Sequence, residues 1–201
     1  KQKTVQVAAG TLLGQLDHEA QSFGLVTPAG VISHTGVAGL TLGGGFGRLS
    51  RRFGLTCDNL LGADIVTADG DYIRASEVDN SDLFWGLRGG GGNFGVVTSF
   101  DYGLHPMDPI VLAGNVSWPM SQARDAMRFF ADYSLEISDE LYLIGSLLRD
   151  REGMPYFNVG VQWSADHADG ERALKPLRTF GQSQNDTIGP VSYVKLQSMN
   201  D

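Results

Sequence analysis

An α+β fold is predicted for this 201-residue chain. Its first half mixes strands, helices and a β-hairpin; its second half is an antiparallel sheet with helices on one face. Three observations predict this. Apolar residues alternate in some segments and recur at helical spacing in others. The second half reads in the order β-α-β-β-α, which suits an antiparallel sheet covered on one side. The composition also changes near His105–Pro109: the glycine runs stop, and six of the seven prolines lie at Pro106 or beyond. A boundary placed there divides the chain into domains at 1–107 and 108–201.

The elements follow in order. "TVQVAAG" alternates and reads as a strand ending at Gly10. "TLLGQLDHEAQSFG" carries Leu12, Leu13, Leu16, Ala20 and Phe23 at helical spacing and stops at Gly24. A loop, "TPAGVISHT", leads into a glycine-rich stretch, and "FGRLSRRFG" is predicted as a short helix bounded by Gly54. "LLGADIVTADGDYIRAS" reads as a hairpin turning at "ADGD". Ser81 or Asp82 is expected to cap a helix running to about Arg88, and "VVTSFDYGL" alternates as a strand. Beyond the boundary come a strand "IVLAGNVSW", an amphipathic helix "MSQARDAMRFFADYS", and two strands joined by "DREG". "DGERALKPLRTF" reads as a helix, and "YVKLQSMND" as the beginning of another.

The 42% apolar content supports a sizeable core, and 19% charged residues argue against disorder. Fifteen basic against 23 acidic residues, net −8, weigh against nucleic acid and anionic membranes as partners. A small anionic ligand stays compatible, because backbone N–H groups bind anions whatever the net charge. With Cys57 as the one cysteine, no intrachain disulfide and no zinc site on paired cysteines can form. No uncharged apolar run is long enough to span a bilayer. Asn115-Val116-Ser117 and Asn185-Asp186-Thr187 fit the N-glycosylation pattern, which often arises by chance.

Gly36 to Gly54 holds seven glycines in nineteen residues, and a second cluster spans Gly89–Gly95. Gly90, Gly92 and Gly95 spell G-x-G-x-x-G, but a helix precedes and a strand follows, the reverse of a Rossmann context. The first cluster is predicted to lead "GLTLGGG" into a helix whose start could hold a phosphate. Two readings stand open: a loop wrapping a flat or phosphorylated cofactor, or glycines serving tight backbone packing. His34 is read as a solvated loop residue and Cys57 as a buried small residue. Arg48, Arg51 and Arg52 are read as the exposed face of the short helix, with Arg48 within reach of a phosphate. Phe84 and Trp85 are read as core. His18, His105 and His167 are scattered, and no metal site can be built from spacing.

"TGVAGLTLGGGFGRLSRRFGLTCDNLLGADIVTADG" followed by "DLFWGLRGGGGNFGVVTSFDYGLHPM" resembles the FAD-linked oxidases of the vanillyl-alcohol oxidase type, with a PCMH-type FAD-binding domain. The berberine bridge enzyme-like branch is the nearest match. The resemblance covers Thr4 to about Met107 and implies the second lobe of that domain, followed by the start of a substrate domain. It implies FAD as cofactor, a small-molecule substrate such as a sugar, alkaloid or other natural product, and hydride transfer to the flavin with oxygen as acceptor. It further implies that the rest of a longer polypeptide is required. Thr35, Gly36, Val37, Gly39, Leu40, Thr41, Gly43, Gly44, Gly45 and Gly47 match the family's flavin-wrapping loop. Asn93, Gly95, Val96 and Val97 match its adenosine-side stretch. Ile32 stands where bicovalent members carry a flavin-linked cysteine. No catalytic base is assigned to these residues. The alternative is a cofactor-free binding or structural relative of the same fold.

Overall fold

A computed structural model describes residues 3–199 and 201. The chain divides into two compact units, one formed by Lys1–Pro109 with Val194–Asp201, the other by Ile110–Tyr193.

The first unit opens with strand β1 (Thr4–Ala8) and helix α1 (Leu13–Gln21). Leu13, Leu16 and Ala20 form the buried stripe of α1, and the chain leaves it through Gly24 at φ +65°. Strand β2 (Leu25–Val26) follows. The glycine stretch is partly helical: α2 covers Val37–Leu42, while α3 is confined to Ser50–Phe53. The sequence reading expected a loop at the first and a longer helix at the second. Gly36 and Gly39 had lowered helix propensity there, but Val37, Thr41 and Leu42 supply a buried face that tertiary packing rewards. A 3₁₀ turn at Thr56–Asn59 leads to the hairpin of β3 (Leu60–Val66) and β4 (Tyr72–Ser76), with Gly70 at φ +86° in its turn.

Helix α4 (Ser81–Leu87) is preceded by Asn80 in the left-handed region rather than capped by Ser81 or Asp82. Its Phe84 is buried as expected, but Trp85 is 79% exposed. The two are adjacent on a helix, so they point about 100° apart and only one can face the core. Strands β5 (Val96–Gly103) and β6 (His105–Pro106) complete the sequence-local part. The sheet order is β1-β5-β3-β4, all antiparallel, and β2 pairs with β6. Val7, Ala63, Ile65, Ala75, Phe100 and Tyr102 form a core with Leu13 and Leu16 of α1 and Phe84 and Leu87 of α4.

The second unit contains β7 (Ile110–Pro119), α5 (Ala123–Glu136), β8 (Leu141–Arg149), β9 (Pro155–Trp163), α6 (His167–Thr179), β10 (Asn185–Asp186) and β11 (Gly189–Ser192). Its antiparallel order is β10-β7-β9-β8, with β11 also pairing β7. Because side chains alternate across a strand, Leu112, Val116 and Trp118 share a face with Phe157, Val159, Val161 and Trp163. That face packs against Ala123 and Ala126 of α5 and Leu174 and Leu177 of α6. Asp166 caps α6, accepting from the Ala168 and Asp169 amides. The opposite face carries Asn115, Ser117, Tyr156, Asn158 and Gln162.

A last helix, α7 (Tyr193–Gln197), returns the chain to the first unit from Val194 onward, although the sequence reading kept residues 108–201 together.

Trp118 is fully buried, and its Nε1 donates to the Phe180 carbonyl at 2.9 Å. Trp118→Ala is expected to lower stability by about 3–5 kcal/mol through the cavity it leaves. Urea unfolding followed by far-UV circular dichroism measures this.

Candidate functional site

The flavin-loop residues are fixed against the start of α1. The Leu13 amide donates to Thr35 O at 2.9 Å, Gly14 to Ser33 O at 2.8 Å, and Val37 to Thr11 O at 2.9 Å. Leu12 and Gly36 form an isolated bridge. Inside α2 the Thr41 hydroxyl donates to Val37 O at 2.8 Å and lies 2.6 Å from the Tyr102 hydroxyl. Burial pushes the Tyr102 phenol well above its usual range, with the Thr41 contact opposing. The side chains of Val37, Thr41 and Val97 therefore face the core, leaving only their main chain for a ligand.

The glycines divide into two groups. Gly44 and Gly45 have φ of +100° and +79°, and their carbonyls accept from Cys57 and Thr56 at 2.9 and 3.0 Å. A Cβ on Gly45 would collide with Thr56, and one on Gly47 with the Ala29 carbonyl. Backbone conformation at Gly44 and Gly45 and close approach at Gly45 and Gly47 require glycine in the fold itself. At Gly36 and Gly39 an added Cβ meets nothing within 4 Å, and both residues are exposed. Among the described residues, the space a side chain would fill at these two positions is open.

The second cluster joins the first: the Gly91 amide donates to Leu42 O, the end of α2, at 2.8 Å. Gly89 and Gly92 are open, whereas a Cβ on Gly90 or Gly95 would meet the Gly86 or Val66 carbonyl. Asn93 donates to Gly90 O at 2.9 Å, and Val96 is exposed on β5. The G-x-G-x-x-G string is thus a turn entering a strand.

Arg48 departs from the exposed role read from sequence. Its guanidinium donates to Gln197 Oε1 at 2.8 Å. The Gln197 amide in turn donates to Gly30 O at 2.8 Å and to Asp17 Oδ2 at 3.2 Å. Asp17 is 2% exposed, and burial pushes its carboxyl up to about 7, opposed by the Gln197 bond and the Arg48 charge. The sequence held a signal for it: Asp17 sits at i+4 from Leu13, within the apolar stripe of α1. Gln197, 180 residues away, had no such signal. His34 is exposed as read, lying 3.5 Å from Asp201, whose carboxylate also accepts from the Ser33 amide at 2.8 Å. Cys57 is buried and free. Among the described residues no group of three His, Cys, Asp or Glu could hold a metal, and no helix is long and apolar enough to cross a membrane.

Known proteins share this fold. Residues 1–76 match the family described as "FAD binding domain". An FAD-linked oxidoreductase of Dictyostelium discoideum is 36% identical over 99% of this chain and 43% of its own length. The crystal structure of 6-hydroxy-D-nicotine oxidase from Arthrobacter nicotinovorans superposes with a TM-score of 0.91 at 34% identity, covering 98% of this chain and 44% of that one. A chitooligosaccharide oxidase superposes at 0.84 with 28% identity, covering 98% and 42%. The chain spans less than half the length of these relatives.

The raised Asp17 pKa gives a pH prediction. The native state keeps this proton up to about pH 7, while the unfolded chain releases it near 3.8. The stabilisation is full below 3.8 and is lost as pH rises through about 7. Asp17→Asn, which cannot titrate, should therefore gain on the wild type as pH is raised from 4 to about 7. Parallel thermal melts of both proteins across that range measure the difference.

Proposed function

The chain belongs to the FAD-linked oxidoreductases, and on that premise we propose that its main chain at Gly36–Leu40 forms part of an FAD cradle in a complete oxidase. The supporting observation is the bare backbone at Gly36 and Gly39, held rigidly to α1 through Thr35 and Val37. A flat ring can approach such a surface within van der Waals distance, and the peptide groups there can bond its polar edge. Gly36 and Gly39 are the open positions; Thr35 spends its amide on Ile32 O and its carbonyl on Leu13, and the Leu40 and Gly43 amides close the turns of α2, so these three are assigned to the cradle as its frame. Gly44, Gly45 and Gly47 set the path of the loop through their packing. Asn93, Gly95, Val96 and the main chain of Val97 are assigned to the adenosine end, beside the turn that Gly91 fastens to α2.

Bound there, FAD supplies a two-electron acceptor for hydride from an alcohol or amine carbon of a small molecule, with dioxygen as terminal acceptor. This chain's residues bind and orient. The proton released from the substrate's O–H or N–H needs a base, which we assign to none of them. Ile32 offers no sulfur for a flavin bond, which leaves this loop with a non-covalent role.

The second reading, a relative that has kept the fold without the cofactor, draws on Gly45 and Gly47, which packing alone explains. Gly39→Leu separates the two. Leucine favours a helix interior over glycine by roughly 0.5–1 kcal/mol, so α2 should persist. The full-length variant is expected to melt no lower than wild type yet lose at least tenfold in FAD content, read from the visible flavin band. A full-length wild type that remains colourless after incubation with FAD would overturn the cradle.

A further inference from the structure

Gly30 and Arg48 bracket the stretch that carries the cradle, and one side chain bonds both. Gln197 of α7 is 1% exposed. Its Nε2 donates to the Gly30 carbonyl at 2.8 Å, and its Oε1 accepts from the Arg48 guanidinium at 2.8 Å. A carbonyl can only accept and a guanidinium can only donate, so these two partners fix which way the amide points. Asp17 Oδ2, 3.2 Å from Nε2, takes the second amide proton and holds the plane of the group. A carboxamide is rigid, with donor and acceptor a fixed distance apart. The entry and the exit of the stretch are therefore tied to each other at a set separation.

The entry has few other holds. Among the described residues no main-chain hydrogen bond reaches residues 28–31. The same returning segment touches the stretch again at Asp201, which accepts from the Ser33 amide at 2.8 Å.

Gly30 passes its position to α2 by contact. A Cβ on Gly30 would lie 3.2 Å from Leu40 Cδ1, and a Cβ on Gly45 would lie 3.2 Å from Leu40 Cγ. The Leu40 side chain thus packs between the entry and the far end of the glycine run, with no slack on either side. Leu40 directly follows Gly39, one of the two open cradle positions. The bonds that close the ends of α2 are long: Leu40 N to Gly36 O is 3.4 Å and Gly43 N to Gly39 O is 3.3 Å. A six-residue helix joined this way has little stiffness of its own and takes its position from what it packs on.

We infer that Gln197 is a positioning residue for the flavin: by tying Gly30 to Arg48 it sets the place of Leu40, and through Leu40 the place of the Gly36 and Gly39 main chain against the ring. The inference rests on the cradle reading above. It gives the return of the chain to the first unit at α7 a role in cofactor binding as well as in folding.

The test uses full-length protein, flavin-loaded and flavin-stripped. Gln197→Leu removes both bonds. The exchanged pair D17N/Q197E is gentler and keeps the net charge: the amide at position 17 can still donate to the carboxylate at 197, which still accepts from Arg48, but the Gly30 carbonyl loses its donor. Val159→Ala, in the core of the second unit, lowers stability without touching this network. D17N/Q197E is expected to melt close to wild type. In its stripped form the amides of α2 should exchange with deuterium about tenfold faster, the factor that one lost hydrogen bond carries, while those of β9 keep their rates. In its loaded form the visible flavin band should move toward that of free FAD. Val159→Ala should melt lower and leave both the α2 rates and the band as in wild type. Unchanged α2 exchange in D17N/Q197E overturns the inference, and so does faster exchange with an unmoved flavin band. A D17N/Q197E protein that does not fold, or a Val159→Ala protein with the same α2 and flavin changes, assigns Gln197 to stability and overturns it too. A wild type that takes up no FAD removes the cradle and this inference with it; a flavin-loaded wild type whose variants match it removes this inference alone.

Discussion

A non-repetitive segment buried inside a protein must find partners for its peptide groups without a sheet or helix to provide them. Residues 27–30 of this chain are such a segment. At Gly30 the partner is one side chain. Gln197 donates to the Gly30 carbonyl and to Asp17, and accepts from Arg48, so a single amide is bonded at both ends. Four stretches distant in sequence meet there: α1, the buried loop, the segment before α3, and α7. Arg48 matters as charge as well as donor, because a lone carboxylate this deep would be strongly destabilised, and its positive field offsets part of the burial penalty on Asp17. At the neighbouring point of contact the requirement is steric. Gly47 lies so close to the Ala29 carbonyl that no side chain fits, which fixes how the glycine stretch passes over the buried loop.

These anchors leave α2 as a short helix presented from a rigid base. Six residues would not hold a helix alone. Here the Thr41–Tyr102 hydroxyl pair and the bonds to Thr11, Leu12 and Gly91 surround it. The glycines at its exposed side are then a matter of access and those behind it a matter of fit. Seven glycines in a row of nineteen look alike in a sequence because both demands select the same residue. Only φ and the neighbours of the missing Cβ separate them, and these are tertiary facts.

The same distinction explains which parts of the fold were legible. Strands β1, β3, β4, β5, β7, β8 and β9 and helices α1, α5 and α6 carry period-2 or period-3.6 patterns long enough to read locally. Helix α2 was not legible, since its glycines argue for a loop and its burial lies outside any local window. Trp85 was misread because type alone places a tryptophan inside, while its angular position next to Phe84 places it outside. The Asp17 position was half legible: a carboxylate in an apolar stripe announces a buried partner without naming it. The flavin resemblance rested on glycine strings whose spacing is specific, and the FAD-domain match and the superposition on 6-hydroxy-D-nicotine oxidase bear out the family and the α+β fold.

The two units expose different kinds of surface, with different tolerance to change. A surface made of main chain is indifferent to side-chain identity until a Cβ appears where none fits, so at Gly36 and Gly39 a single substitution can be neutral to the fold and decisive for a ligand. A surface made of amides and hydroxyls, as on β7 and β9, changes its hydrogen-bonding character with each replacement of Asn115 or Asn158 while the strands beneath stay paired. Their opposite face, packed through Trp118, Phe157 and Val159, maintains the sheet whatever the open face carries. This separates what must be kept from what can vary within a few ångströms of backbone. The same fold occurs in proteins as unlike in name as a nicotine oxidase and a chitooligosaccharide oxidase.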